Sequence, residues 1–208
     1  MLPDVYHQRV GDLTAFILAG GRSRRMGQDK AFLELGGRTL LSRALDLANA
    51  VAPTVRIVAS QEKFLTVART IEDVFSDCGP LAGIHAALSF TKTELNLMLA
   101  VDLPFVEANF LTYLIAQASQ VSALVTVPEA GKGFQPLCAI YRRDFREVAE
   151  QALKKKKNKI DSLFSDVETR VISEPEMTRM GFSAKMFQNL NTPEEFSKAE
   201  LSFNESGP

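Results

Sequence analysis

The chain has few of the residues that build metal clusters and disulfides: two cysteines and two histidines in 208 positions. Cys78 and Cys138 stand alone, with no CxxC and no Cys/His spacing, so no zinc site is expected and a reducing compartment suffices. Charge of one sign is also lacking: 24 basic residues stand against 25 acidic ones, for a net charge of -1. That balance argues against a general nucleic-acid or membrane surface, so an anionic ligand would have to be attracted locally. No apolar run approaches the roughly 20 residues that a membrane helix needs. The opening "MLPDVYHQRVGD" has no basic head followed by an apolar stretch, so no signal peptide is read there and a cytoplasmic protein is expected. No internal repeat occurs, and no linker is rich enough in Pro, Gly or Ser to divide the chain. One domain over 1–208 is expected, with its core at about 13–200 and loose ends at 1–12 and 204–208.

What is present is an alternation of short apolar runs and longer amphipathic ones. "LTAFILA" (13–19), "TVRIVAS" (54–60), "ELNLMLAVD" (94–102), "SALVTVP" (122–128), "QPLCAIYR" (135–142) and "VETRVIS" (167–173) predict strands. Between them, 39–51, 62–69, 79–90, 106–119 and 143–157 predict helices, the first with Leu40, Ala44, Leu47 and Ala48 on one face. A last helix follows Thr192, whose cap is signalled by Pro193 next to it and Glu195 three residues on. The expected fold class is α/β: a mostly parallel, mixed sheet with helices on both faces. The near-continuous apolar stretch 95–101 suits a central strand buried on both sides.

Against the neutral whole, "GGRSRRMGQDK" (20–30) concentrates Arg22, Arg24, Arg25 and Lys30 behind two glycines. It leaves the first strand, and ligands of open α/β sheets bind beyond the carboxyl ends of strands. Gly20 and Gly21 would let the backbone turn and offer N–H groups to an anion, while the arginines and the lysine neutralise phosphate oxygens. The order of these residues favours a polyphosphate over a solvated basic turn. Neither GxxxxGK[ST] nor GxGxxG occurs, so the two commonest nucleotide fingerprints do not apply.

"LAGGRSRRMGQDKAFLELGGRTLL" resembles the signature of the molybdenum cofactor guanylyltransferases, within the nucleotidyltransferase superfamily. The likeness continues, in order, through "EDVFSDCGPLAGIHAAL", "AVDLPF" and "NLNTPEEF", from about Leu13 to about Phe196. The resemblance implies a Rossmann-like nucleotidyltransferase fold that transfers GMP from magnesium-bound GTP to the terminal phosphate of molybdopterin, releasing pyrophosphate. Carried across position by position, Leu18, Ala19 and Gly20 would hold the base and ribose, with Gly21 beside them. Arg25 and Lys30 would bind phosphates, Asp73 would contact the nucleoside, and Asp102 would hold magnesium, with Asn189 a weaker candidate. "GKGFQPLCAIY" (131–141) resembles the segment that faces the acceptor. Two positions depart from the family: Ala59 or Ser60 stands where an asparagine is common, and Leu103 replaces a polar residue.

The chemistry is compatible with these residue types. Charge develops on the α-phosphate oxygens and on pyrophosphate, and fixed cations lower that barrier. A phosphate nucleophile is already ionised, so no histidine base is needed, and His85 is read as a packing residue. Asp102 could alternatively cap the turn that Pro104 favours. Asp73 could be an ordinary strand-end carboxylate, and Asn191 is read as a helix-entry residue. The lysine run at 154–159 is read as a solvated helix end, with the pterin phosphate as the alternative contact. Three rival readings share the scaffold: a cytidylyltransferase, a sugar-phosphate nucleotidyltransferase, and a non-catalytic nucleotide-binding module.

Overall fold

A computed structural model describes residues 12–20, 29–59, 70–71, 75, 78–131, 133–190 and 192–205. The chain opens with β1 (Leu13–Leu18), all six of whose residues are buried. Next comes a short antiparallel hairpin, β2 (Glu34–Leu35) and β3 (Arg38–Thr39). Its turn places Gly36 and Gly37 at φ 57° and 73°, a region that side chains disfavour. Helix α1 (Leu40–Asn49) starts at Thr39, whose hydroxyl accepts from the Ser42 N–H. It buries Leu40, Leu41, Ala44 and Ala48, while Leu47 of the expected face is only partly covered.

Strands β4 (Thr54–Val58) and β5 (Thr70–Ile71) lead to α2 (Pro80–Phe90). Every residue of α2 from Leu81 to Leu88 is buried, as befits a helix that is apolar around most of its circumference. After it come β6 (Leu95–Ala100), α3 (Ala108–Ser119), β7 (Val125–Ala130), β8 (Gly133–Phe134), β9 (Cys138–Arg142) and α4 (Phe145–Lys154). The described chain closes with β10 (Thr169–Ser173), α5 (Glu174–Arg179) and α6 (Pro193–Glu205). At the last of these, the Thr192 hydroxyl accepts from Glu195 N at 3.2 Å and the Glu195 carboxylate accepts from Thr192 N at 3.1 Å, the reciprocal cap expected from the sequence.

The sheet runs β10–β7–β9–β6–β1–β4–β5, with β8 attached to β7. β9 pairs antiparallel with both β6 and β7, and β8 pairs antiparallel with β7; the other pairings in this sheet are parallel. Helices cover both faces, as expected. On one, Leu13, Ala15 and Ile17 join a cluster with α1 and α3, where Phe110 meets Phe182 and Phe187 edge-on at 5.3 and 5.4 Å. On the other, Phe16 and Leu18 join Leu81, Ile84, Phe145 and Leu153 of α2 and α4. β6 is buried along its whole length, including its one amide, Asn96. Asn96 Nδ2 donates to Tyr141 O at 3.3 Å and its Oδ1 accepts from the Thr93 hydroxyl, which also reaches Thr14 Oγ1 at 2.9 Å. This network satisfies a buried amide that would otherwise be costly, and it lies at the amino edge of the sheet.

The expected strands and helices among the described residues are found to within a few residues of their ends, but α5, the β2–β3 hairpin and the two-residue strands β5 and β8 were not anticipated. The helix predicted at 62–69 lies outside the described residues. No helix among the described residues is long and apolar enough to cross a membrane.

Candidate functional site

β1 and β6 lie side by side, with Leu18 opposite Ala100 at their carboxyl ends. The next strand after β1 in the sheet, β4, lies on its far side, whereas the strand after β6, β7, lies in the opposite direction. The two connections therefore diverge, and between them opens the crevice where open α/β sheets receive ligands.

The backbone extends the sheet slightly at this point. Ala19 N donates to Val58 O at 3.0 Å and Val101 N donates to Leu18 O at 3.3 Å, fixing the first residues of both loops. Gly20 is exposed, is not in the left-handed region, and would hold a Cβ no closer than 3.8 Å to Val58 O. Packing among the described residues therefore does not demand a glycine there; what Gly20 provides is bare backbone that a ligand can approach closely.

The loop returns to a short 3-10 turn, Lys30–Phe32, capped by Asp29, whose carboxylate accepts from Ala31 N at 3.2 Å. Ala31 is fully buried beneath the turn, so Lys30 projects from a fixed base. Its Nζ lies 3.1 Å from Asp102 Oδ2, and the two side chains are 18% and 23% exposed. Asp102 is held in turn: its carbonyl accepts from Leu190 N at 3.3 Å, while Leu103 beside it is buried. That contact brings the exposed Asn189, next to Leu190, to the neighbourhood of Asp102. Of the residues anticipated from the sequence, the structure thus brings together Leu18, Ala19, Gly20, Lys30, Asp102 and Asn189 along one edge. Gly21, Arg22, Arg24, Arg25, Ser60, Asp73 and Asn191 lie outside the described residues.

Asp29 was not anticipated as part of the site. Its signal was available, since an aspartate just before a helical turn is a favoured cap, but a turn this short leaves little periodicity to read. α2 begins at the same edge, behind Gly79 at φ 71° and Pro80 in its first turn. The amide-rich start of such a helix is a favourable surroundings for anions.

Among the described residues no group of three or more His, Cys, Asp or Glu could enclose a metal ion. Asp102 and Asn189 offer hard oxygen donors in small number, which suits a cation that keeps most of its shell for water and phosphate. His85 lies in the interior of α2, 6% exposed, with Nε2 3.4 Å from Ser89 Oγ and its ring edge-on to Phe75 at 5.1 Å. Burial holds its pKa below the usual imidazole value; nearby Glu150 opposes that effect, and Arg146 and Lys154 add to it. The packing role expected for His85 fits this environment.

A second opening, of about 400 Å³, lies where β7 and β10 end, lined by Glu129, Gly131, Gly133 and Glu174 among others. Two of the residues that line it are joined by a bond from the Gly131 N–H to Glu174 Oε2 at 2.8 Å.

Comparison with known proteins agrees with this architecture. Residues 15–170 match the MobA-like NTP transferase domain. A molybdenum cofactor guanylyltransferase from Desulfosudis oleivorans is 36% identical over 191 residues, covering 90% of this chain and 94% of the relative. A probable molybdenum cofactor guanylyltransferase from Pelotomaculum thermopropionicum is 34% identical over 190 residues, covering 90% and 92%. The crystal structure of molybdopterin-guanine dinucleotide biosynthesis protein A from Archaeoglobus fulgidus superposes with a TM-score of 0.81 at 24% identity, covering 92% of this chain and 99% of that one, a likeness of fold. The chain belongs to the MobA-like NTP transferase family.

Proposed function

We propose that this member of the MobA-like NTP transferase family transfers GMP from GTP to the terminal phosphate of molybdopterin. The observation that carries the reading is the meeting of Lys30 with Asp102, 3.1 Å apart and largely shielded from water, where the loops after β1 and β6 diverge. The names of relatives more than 30% identical over nine tenths of the chain support the choice of guanine nucleotide and pterin acceptor. They do not favour the cytidylyl, sugar-phosphate or non-catalytic alternatives.

In this reading an oxygen of the acceptor phosphate attacks the α-phosphorus of GTP. A new P–O bond forms there, the bond from the α-phosphorus to the bridging oxygen breaks, and its electron pair leaves on pyrophosphate. No proton has to be removed from the nucleophile. Leu18, Ala19 and Gly20 line the base and ribose side, Gly21 presents its amide, and Asp73 contacts the nucleoside. Lys30 and Arg25 neutralise charge that grows on the phosphates, a role in which one well-aimed donor is worth about 10²–10³ in rate. Asp102, with Asn189 beside it, would hold Mg²⁺, which supplies fixed positive charge to the phosphate oxygens when bound. Lys30 occupies Asp102 in the free protein, so the carboxylate is kept in place before a ligand arrives. The acceptor approaches from the 131–141 side, where the opening beside Glu129 and Glu174 lies.

The test is pyrophosphate release from GTP and from CTP, with and without magnesium and molybdopterin. Release is expected only with GTP, metal and acceptor together. Equal or preferred use of CTP would refute the guanylyl assignment, and no release from either would refute transfer.

A further inference from the structure

Five lysines occupy the six positions from 154 to 159, at the end of α4, and all are exposed. Lys154 is paired with Glu150 at 2.6 Å, whereas no ion pair among the described residues engages Lys155, Lys156, Lys157 or Lys159. In the following turn, Asp161 lies close enough to the buried Tyr141 phenol to add to the effect of burial in opposing its ionisation.

The corner is built, not frayed. Lys156 N donates to Leu153 O at 3.0 Å and Lys157 N to Ala152 O at 2.9 Å, the paired bonds that close a helix through a left-handed residue. That residue is Lys156, at φ 57°, the only non-glycine with positive φ among the described residues. Glycine is the favoured occupant of such a position, so a charged side chain stands there against backbone preference. Buried Leu153 before the turn and buried Ile160 after it anchor both arms.

Topology sets where the corner points. β9 ends at Arg142, opposite Leu95 at the start of β6, so α4 sets out from the amino edge and climbs towards the carboxyl edge. It packs against α2, and His85 at the middle of α2 is influenced by Arg146, Glu150 and Lys154 along α4. The lysines therefore emerge at the edge that holds Lys30, Asp102 and the start of α2. In a chain of net charge -1 they form a local positive field at that edge.

We propose that this lysine corner is an approach patch, which gathers phosphorylated substrates towards the carboxyl-edge crevice without touching them in the reacting complex. The proposal rests on the reading of that crevice as a site for polyphosphates. It calls for a long-range, salt-sensitive effect on association and none on the chemical step.

The experiment compares the parent protein with a variant carrying Lys155→Gln, Lys156→Gln, Lys157→Gln and Lys159→Gln. Stopped-flow fluorescence follows the binding of ribose-labelled GTP and ribose-labelled CTP, and turnover is measured at saturating substrates. Association of GTP in the variant is expected to be about tenfold slower at ~10 mM ionic strength and less than about twofold slower at ~0.15 M, as screening removes the field. Turnover at saturation is expected to be unchanged. Identical association rates and salt slopes in the two proteins would overturn the patch and leave the transfer reading untouched. Lost turnover at saturation in a variant with an unshifted melting midpoint would also overturn it, by showing contact with the reacting groups. Equal binding of both labelled nucleotides, each slowed in the variant, would refute guanine selection while upholding the patch.

Discussion

Replacing Asp102 by asparagine separates a carboxylate that serves chemistry from one that serves folding. The substitution keeps the size of the side chain and leaves an oxygen to accept from Lys30, and the main-chain bond from Leu190 N to the residue 102 carbonyl is untouched. With 18% and 23% of the two side chains exposed, the pair is partly wetted, so losing the charge is expected to cost about 1–2 kcal/mol of stability. For a chain of this length that is a fall of roughly 2–8 °C in melting midpoint. The effect on rate is expected to be far larger. Removing a group that fixes charge at the reacting phosphate costs about 10²–10³ in turnover, equivalent to about 3–4 kcal/mol of transition-state stabilisation. The magnesium concentration for half-maximal rate should rise as well. Pyrophosphate release measured well below the melting midpoint, across a magnesium titration, gives both quantities. A variant that turns over at the parental rate with the parental magnesium requirement would refute the proposed role of Asp102.

Other expectations follow from groups away from the crevice. Because burial lowers the pKa of His85, the unfolded chain binds its proton more readily. The stability His85 contributes is complete above the unfolded value of about 6.5 and is lost as pH falls below it; His85→Gln should flatten the decline of melting midpoint between about pH 6.5 and 5. Burial pushes the Cys138 thiol up to about 12, whereas Cys78 is only half-buried. A thiol-reactive dye should therefore label Cys78 in the native protein and reach Cys138 only on unfolding; prompt labelling of both would contradict the packing of β9. Lys156→Gly relieves a left-handed lysine and should raise stability by up to about 1 kcal/mol, seen as a higher midpoint in thermal unfolding.

Much of this was legible in the sequence because the informative segments are long or strongly patterned. The apolar run that became β6 reads as doubly buried, and Thr192, Pro193 and Glu195 announce the start of α6 by their chemistry alone. The β2–β3 hairpin carried its Gly-Gly signal, but two-residue strands have no alternation to detect. α5 spans only six residues after Ser173 and Pro175, too short for a helical period to stand out from the strand before it. Asn96 looks like a blemish in an apolar strand until Thr14, Thr93 and Tyr141 are seen around it. The site divides in the same way. Lys30 and Asp102 could each be assigned to a strand-end loop, yet they are 72 residues apart. Only the adjacency of β1 and β6 in the sheet makes them partners.

The reversed direction of β9 has a further consequence. It parts the parallel strands into β1, β4, β5 and β6 on one side and β7 with β10 on the other, and the segment from Val125 to Ser173 holds the whole second group together with β8, β9 and α4. Such an arrangement can be re-tailored piecewise. A graft exchanging that stretch between relatives is expected to carry over whatever it contributes, while the half that holds Lys30 and Asp102 keeps its own preference.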